Sequence, residues 1–200
     1  MTLVVETSYG PAHVELDAAP EPRSLVVLTH GAGGGVEAAD LSIVRDEALA
    51  AGATVARVLQ PYRVAGRRAP GAAGAQDAAW REVVAALRID GVPLVLGGRS
   101  NGARVACRTA TELGAKGVVA LAFPLHPPGK PERTRVDELR AFGNVVVING
   151  ANDPFGIPDA ADAKAVHVLA GQAHSFKRTA DLEIARIVRP LLRRWRSRPA

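Results

Sequence analysis

The chain has 200 residues, of which 48% are hydrophobic and 22% are charged, so it is long enough to bury a core as one domain and too apolar to be intrinsically disordered. Its formal net charge of +5 does not predict a nucleic-acid partner, because five arginines fall within the last twelve residues and the rest of the chain is close to neutral. We interpret this basic group as a solvated helix end whose members complement the helix dipole: Arg189, Arg193, Arg194, Arg196 and Arg198.

Segments rich in Val, Leu and Ile alternate with longer amphipathic stretches along the chain. The predicted strands, in chain order, are 2–8, 12–17, a segment ending at His30, 54–62, 93–98, 117–123, 144–149 and 165–171. The predicted helices are 37–51, 75–89, 101–113, a short helix behind the loop 124–135, and 179–196.

This alternation predicts an α/β fold in a single domain over 1–200. We expect a mainly parallel central sheet of about seven or eight strands with helices on both faces. The first two strands flank Gly10 and Pro11 and predict an antiparallel hairpin at one edge of the sheet. The loop 124–135 is too short to hold a separate helical cap, so we expect no cap domain.

The segment GGRSNG places Ser100 between glycines at positions 98 and 102. It follows a predicted strand and precedes a predicted helix, which is the context that a nucleophile elbow requires. The glycines let strand and helix close together, while the turn pushes the serine out at the carboxyl end of the sheet. We therefore predict Ser100 as a nucleophile, and an ordinary capped turn is the alternative.

A glycine-rich loop, HGAGGG, begins at His30 directly after another predicted strand. It resembles the loop that supplies the second donor of an oxyanion hole. We predict the backbone N–H of Asn101 as the first donor and that of Ala32 or Gly33 as the second. A phosphate-binding loop is the alternative, but the lysine and the glycine spacing of such loops are missing. We expect His30 to hold the loop by a hydrogen bond rather than to act as a base.

Two later loops contain the groups that a serine nucleophile needs. Asp153 follows one predicted strand and His174 follows the next, in the chain order known for nucleophile-elbow enzymes. A histidine removes the proton of the serine, and an acid fixes the tautomer of that histidine. We predict His174 as the general base and Asp153 as the acid, with Asp159 and Asp162 as alternatives for the acid.

These motifs, together with PYRVAGRRAP (61–70), PLHPPGKPE (124–132), DPFG (153–156) and HSF (174–176), resemble those of the α/β-hydrolases. The chain is similar to the short, cap-less group that includes dienelactone-hydrolase-like proteins. It is also similar to bacterial relatives of the testis-expressed and NSL-complex α/β-hydrolase-like domains. The resemblance implies an α/β-hydrolase fold with the serine triad given above. Asn101 and Ala173 depart from the pattern, in which an apolar residue and an acid are more usual.

The expected reaction is hydrolysis of a small ester or lactone through an acyl-Ser100 intermediate, with no metal or organic cofactor. The expected partner is therefore a small-molecule substrate rather than a nucleic acid or a membrane. The rival interpretation is a catalytically weak or inactive interaction protein that keeps the fold.

Four side chains are candidates for substrate binding: Arg99, Arg63, Arg67 and His126. Arg99 adjoins the nucleophile, and the other two arginines lie in a loop expected at the same edge of the sheet. Such arginines either hold a substrate carboxylate by a bidentate pair or pin the loops through hydrogen bonds and ion pairs. The sequence alone is consistent with both roles.

The opening of the chain lacks the basic patch and apolar run of a secretory signal, and no apolar stretch is long enough to span a bilayer. The single cysteine, Cys107, cannot form an internal disulfide and lies in an apolar-periodic stretch. We therefore expect a cytoplasmic protein with Cys107 in its core.

Overall fold

The computed structural model describes residues 1–197, so Arg198 of the basic group lies outside the described residues. The strands are β1 (Thr2–Val5), β2 (Ala12–Asp17), β3 (Ser24–Thr29), β4 (Ala53–Leu59), β5 (Leu94–Arg99), β6 (Gly117–Leu121), β7 (Val145–Gly150) and β8 (Ala165–Leu169). The helices are α1 (Ala39–Ala50), α2 (Pro61–Val64), α3 (Ala73–Leu87), α4 (Asn101–Thr109), α5 (Val136–Arg140) and α6 (Asp181–Trp195), with 3-10 turns at Ala160–Asp162 and Arg178–Ala180.

The strands form one sheet in the order β1-β2-β4-β3-β5-β6-β7-β8. All neighbouring pairs from β4 to β8 are parallel, and β1 and β2 form an antiparallel edge hairpin. The predicted mainly parallel sheet is therefore confirmed. Its parallel strands end at a common edge, and the loops after β3, β5, β7 and β8 meet there.

Helices cover both faces of the sheet, as predicted. On one face, α3, α4 and α5 bury Trp80, Cys107 and Leu139 against the strands. On the other face, α1 and α6 bury Leu41 and Ile184. The inner strands β3, β6 and β7 are buried along their whole length, which explains why they are continuous apolar runs rather than alternating sequences.

Several predicted elements end earlier than the sequence pattern indicates. The strands predicted over 2–8, 117–123 and 165–171 end at Val5, Leu121 and Leu169. The strand predicted over 54–62 is wrong in its last part, because β4 ends at Leu59 and Pro61 opens the short helix α2. Proline has no N–H for the sheet ladder and fits the first turn of a helix. The helix predicted over 101–113 ends at Thr109, and turns lead from there to Gly114, whose φ of 61° favours glycine.

No cap domain follows β6 in the part of the chain that the structure describes. Turns and irregular chain connect β6 to the short helix α5. Within residues 1–197, no helix combines the length and the apolar character that crossing a bilayer requires.

Candidate active site

Ser100 lies at the sharp turn between β5 and α4, with φ at 52° and ψ at −113°. Positive φ is unfavourable for a residue with a Cβ atom, so surrounding contacts must enforce it. The backbone N–H of Ser100 donates to the carbonyl of Leu121 at the end of β6 (2.9 Å). The side chain is thereby held at the carboxyl edge of the sheet, as predicted from the sequence.

The two glycines beside Ser100 are required by close backbone approach. A Cβ atom on Gly98 would lie 2.5 Å from the carbonyl carbon of Gly102. A Cβ atom on Gly102 would lie 2.5 Å from the carbonyl oxygen of Thr29 in β3. Neither space admits a side chain, so these glycines let α4 start directly against the sheet.

Ser100, His174 and Asp153 form a continuous hydrogen-bonded chain. With its proton on Nδ1, His174 donates to Oδ2 of Asp153 (2.9 Å), and its Nε2 accepts from Oγ of Ser100 (2.9 Å). The Asp153 side chain is fully buried, and Oδ1 accepts from the N–H of Phe155 (2.9 Å). The ring of Phe155 packs edge-on against His174 at 4.3 Å between centroids. The structure therefore brings together all three residues predicted for the triad.

The two alternative acids lie elsewhere and have a different role. The Asp162 side chain is buried, accepts from Arg140 (2.6 Å) and closes a capping box with Asp159 around the 3-10 turn. Asp162 therefore holds α5 against the loop before β8.

The loop that carries His174 is fixed from β5 and from within. Arg99 donates through Nη2 to the carbonyl of His174 (2.9 Å) and to Oγ of Ser175 (3.0 Å). Its Nε donates to Asp40 at the start of α1 (2.9 Å). Burial raises the pKa of Asp40 above its ordinary value, although the guanidinium of Arg99 opposes the shift. Gln172 adds hydrogen bonds to Lys177 and Thr179 within the same loop.

Of the predicted oxyanion donors, Asn101 follows Ser100 directly, and the loop that carries Ala32 and Gly33 approaches Ser100 at Gly31, where an added Cβ atom would lie 3.4 Å from Cβ of Ser100. Asn101 opens α4, so its N–H belongs to the first turn, where backbone donors lack helical partners. Within residues 1–197, the N–H groups of Ala32 and Gly33 donate to no acceptor. The side chain of Asn101 is buried and donates to Gln76 (2.7 Å).

The four side chains predicted for substrate binding differ in what they contact. Arg99 makes the contacts given above, and Arg63 donates to the carbonyls of Gly34 (2.9 Å) and Arg67 (3.1 Å). His126 hydrogen-bonds the carbonyl of Pro127 through Nδ1 (2.9 Å). The Arg67 side chain is exposed and makes no hydrogen bond or ion pair in the described part of the chain. The first three therefore hold loops.

Asn149 is a supporting residue that the sequence analysis missed. It is fully buried at the end of β7, where it accepts from the N–H of Phe123 (2.8 Å) and donates to the carbonyls of Phe123 (3.0 Å) and Gly156 (3.3 Å). It thus joins the loop after β6 to the loop that carries Asp153. A polar residue ending an apolar strand, just before the acid, is the signal that would have found it.

Comparisons with known proteins agree with this fold. A family model described as "Alpha/beta hydrolase domain" matches residues 22–186. A search of the curated proteins finds no match. Among solved structures, an α/β serine hydrolase without a lid from Xanthomonas campestris has a TM-score of 0.75 at 18% identity, covering 100% of this chain and 96% of that chain.

Two further solved structures give similar values. Est1E from Butyrivibrio proteoclasticus, with ferulic acid bound, has a TM-score of 0.76 at 16% identity, covering 96% of this chain and 98% of that chain. An esterase from Pyrobaculum calidifontis has a TM-score of 0.69 at 18% identity, covering 96% and 82%. The fold is thus the α/β-hydrolase fold without a lid. The chain belongs to the alpha/beta hydrolase domain family.

Proposed function

We propose that the protein is an esterase-like serine hydrolase that cleaves a small ester or lactone. The observation that carries this proposal is the pair of 2.9 Å hydrogen bonds linking Ser100 to His174 and His174 to Asp153. This arrangement provides a nucleophile, a base within hydrogen-bond reach and an acid that orients the base.

In the first half of the reaction, Oγ of Ser100 attacks the carbonyl carbon of the substrate while Nε2 of His174 takes the hydroxyl proton. The carbonyl oxygen becomes negative and accepts hydrogen bonds from Asn101 N–H and from Ala32 or Gly33 N–H. Collapse of this intermediate breaks the ester bond. His174 then gives its proton to the leaving alkoxide, and an acyl-Ser100 ester remains.

In the second half, His174 removes a proton from a water molecule that attacks the acyl carbon. The tetrahedral intermediate uses the same N–H donors, and its collapse releases the carboxylic acid. His174 returns the proton to Oγ of Ser100. Buried Asp153 stabilises the imidazolium that forms in each half and keeps Nδ1 as the protonated nitrogen.

The lack of a cap after β6 within residues 1–197 favours a small substrate. A cavity of about 290 Å³ lies next to the 30–36 loop, with Gly31, Arg99 and Ser175 in its wall, but none of the three triad residues lines it. Without a cap, a long acyl chain would find little apolar wall. We expect short esters to react faster than long ones.

An alkyl fluorophosphonate tests the proposal directly, since a base-activated serine attacks phosphorus readily. We expect one adduct per chain, mapped by peptide mass spectrometry to Ser100, and no adduct after Ser100→Ala or heat denaturation. Labelling at another residue, or none in the folded protein, would contradict the proposal and favour a non-catalytic interaction protein.

A further inference from the structure

The oxyanion loop, residues 30–36, contains glycine at four positions, 31 and 33 to 35. Glycine-rich backbone has more conformational freedom than other sequences, and fixing it costs more entropy. An oxyanion hole nevertheless needs N–H groups whose direction is set before the reaction begins. Something outside the loop must therefore order it.

Side chains from one neighbouring segment, residues 57–63, hold carbonyl oxygens of this loop. The hydroxyl of Tyr62 donates to the carbonyl of Ala32 (2.9 Å). Nε of Arg63 donates to the carbonyl of Gly34 (2.9 Å). Both donors lie in α2, the short helix that Pro61 starts directly after β4.

Three further hydrogen bonds involve residues at the two ends of the loop. Nη1 of Arg57, at the end of β4, donates to the carbonyl of Val36 (3.2 Å). Nδ1 of His30 bonds the carbonyl of Gly31 (2.7 Å), and Nε2 of His30 accepts from the N–H of Gln60 (3.1 Å). We call Arg57, Tyr62 and Arg63 the brace.

The geometry of the peptide bond connects these contacts to the oxyanion donors. The carbonyl of one residue and the N–H of the next belong to a single planar unit and point in opposite directions. Fixing the carbonyl of Ala32 therefore fixes the N–H of Gly33. Fixing the carbonyl of Gly31 fixes the N–H of Ala32 in the same way. These are the two N–H groups proposed as the second oxyanion donor.

We propose that Tyr62 is a positioning residue, which aims the N–H of Gly33 in the oxyanion loop by holding the carbonyl of Ala32. This inference rests on the proposed function, because the loop needs aimed donors only if an oxyanion forms. Tyr62 does not touch the reacting atoms and acts through the loop backbone.

The surroundings of Tyr62 suit this role. The residue is 4% exposed, and its ring meets the ring of His30 edge-on at 5.9 Å between centroids. Tyr62 therefore has little room to leave the loop. Burial raises the pKa of its hydroxyl to about 12, so the hydroxyl remains a donor at any ordinary assay pH.

The test is Tyr62→Phe, which removes one hydroxyl and keeps the buried ring. Tyr9→Phe is the matched control, since Tyr9 is half exposed in the β1–β2 turn and its hydroxyl makes no hydrogen bond within residues 1–197. We expect Tyr62→Phe to lower kcat for a short p-nitrophenyl ester roughly tenfold to a hundredfold, with KM changed by less than about twofold. Affinity for a phenylboronic acid, which forms a tetrahedral adduct with the serine, should fall by the same factor.

A purely structural role predicts a different result. Tyr62→Phe would then lower thermal stability while leaving kcat and boronate affinity at wild-type values, and that outcome would overturn the inference. If Tyr62→Phe does not fold, Arg63→Gln removes the bond to Gly34 from a half-buried position, with exposed Arg68→Gln as its control. It should lower kcat by a smaller factor, because the carbonyl of Gly34 shares its peptide plane with the N–H of Gly35 rather than with that of Gly33. An unchanged kcat would contradict a positioning role for the brace.

A measurement without turnover separates this inference from the proposed function. Backbone ¹⁵N order parameters of Gly33 and Gly34 should decrease in Tyr62→Phe and stay unchanged in Tyr9→Phe. If the wild type neither hydrolyses esters nor binds the boronic acid, the proposed function fails, and the brace is judged on order parameters alone. Unchanged order parameters in Tyr62→Phe would refute it in either case.

Discussion

At the scale of single residues, Ser100 combines an unfavourable backbone conformation with a hydrogen bond to His174. Its positive φ is held by the bond to Leu121 and by the close approach of α4 to the sheet. Its Oγ lies 2.9 Å from Nε2 of His174. A strained residue at a functional position is destabilising for the fold, so its side chain is expected to matter for chemistry rather than for stability.

The first prediction concerns Ser100→Ala. We expect turnover of p-nitrophenyl acetate to fall by at least about a thousandfold, because triad members act as a unit. The melting temperature should be unchanged or slightly higher, since the buried core is untouched. Initial rates and thermal melting of both proteins provide the measurement. A variant with wild-type turnover would refute Ser100 as the nucleophile.

The second prediction separates the base from the acid. His174→Ala should be as damaging as Ser100→Ala, whereas Asp153→Asn should leave more residual activity, because it removes orientation rather than proton transfer. Asp162→Asn is the matched control, since Asp162 is a buried acid paired with Arg140. It should lower the free energy of unfolding and leave kcat/KM within about twofold of wild type. A larger loss of kcat/KM in Asp162→Asn than in Asp153→Asn would mean that the acid is misassigned.

At the scale of elements, the junction of β5 and α4 depends on a close backbone contact. The first turn of α4 lies almost against the backbone at the end of β3. A Cβ atom on Gly102 would meet the carbonyl oxygens of Thr29 (2.5 Å) and His30 (2.8 Å). Because the obstructing atoms are backbone rather than flexible side chain, α4 would have to move away from the sheet to make room.

The third prediction is that Gly102→Ala destabilises the protein by about 1–3 kcal/mol or more, through overpacking at this junction. Gly74→Ala is the control, since Gly74 lies inside α3 with nothing within 4 Å of an added Cβ atom. It should stabilise the protein by up to about 1 kcal/mol, because alanine is the better helix former. Urea unfolding measures both, and equal effects of the two changes would contradict the predicted crowding.

The elements also show how far the sequence can predict the site. The parallel strands and the Ser100 turn follow from local patterns, because buried strands need apolar runs and the elbow needs glycine on both sides. The position of Tyr62 against Ala32 depends on α2, a helix of four residues. The sequence pattern instead predicted that the preceding strand continues to residue 62. The bonds of Asn149 to Phe123 depend on the register between β6 and β7. Neither of these contacts produces a periodic pattern in the sequence.

At the scale of the whole molecule, the buried histidine under the oxyanion loop links folding to pH. His30 is fully buried, and burial lowers the pKa of its imidazole from the ordinary 6.5. Its Nε2 accepts the N–H of Gln60, so protonation there would also break a hydrogen bond. The folded state thus keeps His30 neutral at pH values where the unfolded chain binds a proton.

The fourth prediction follows from this difference in proton binding. As pH falls below about 6.5, the unfolded state gains a proton that the folded state does not, so the free energy of unfolding decreases by up to about 1.4 kcal/mol per pH unit. The decrease stops once the pH is below the lowered pKa of the folded state. Urea unfolding of wild type and His30→Gln over this range isolates the contribution. A wild-type-minus-variant difference that does not vary with pH would contradict it.

Cys107 lies in α4, the helix that begins directly after Ser100, and it is fully buried on the α3 side of the sheet. Burial also raises the pKa of its thiol, so the native protein offers almost no thiolate to an alkylating reagent. Modification must wait for an opening that exposes this face of α4, and its rate therefore reports how often such an opening occurs. The rate of Cys107 alkylation, followed by mass spectrometry, therefore measures the opening of this helix without any engineered label.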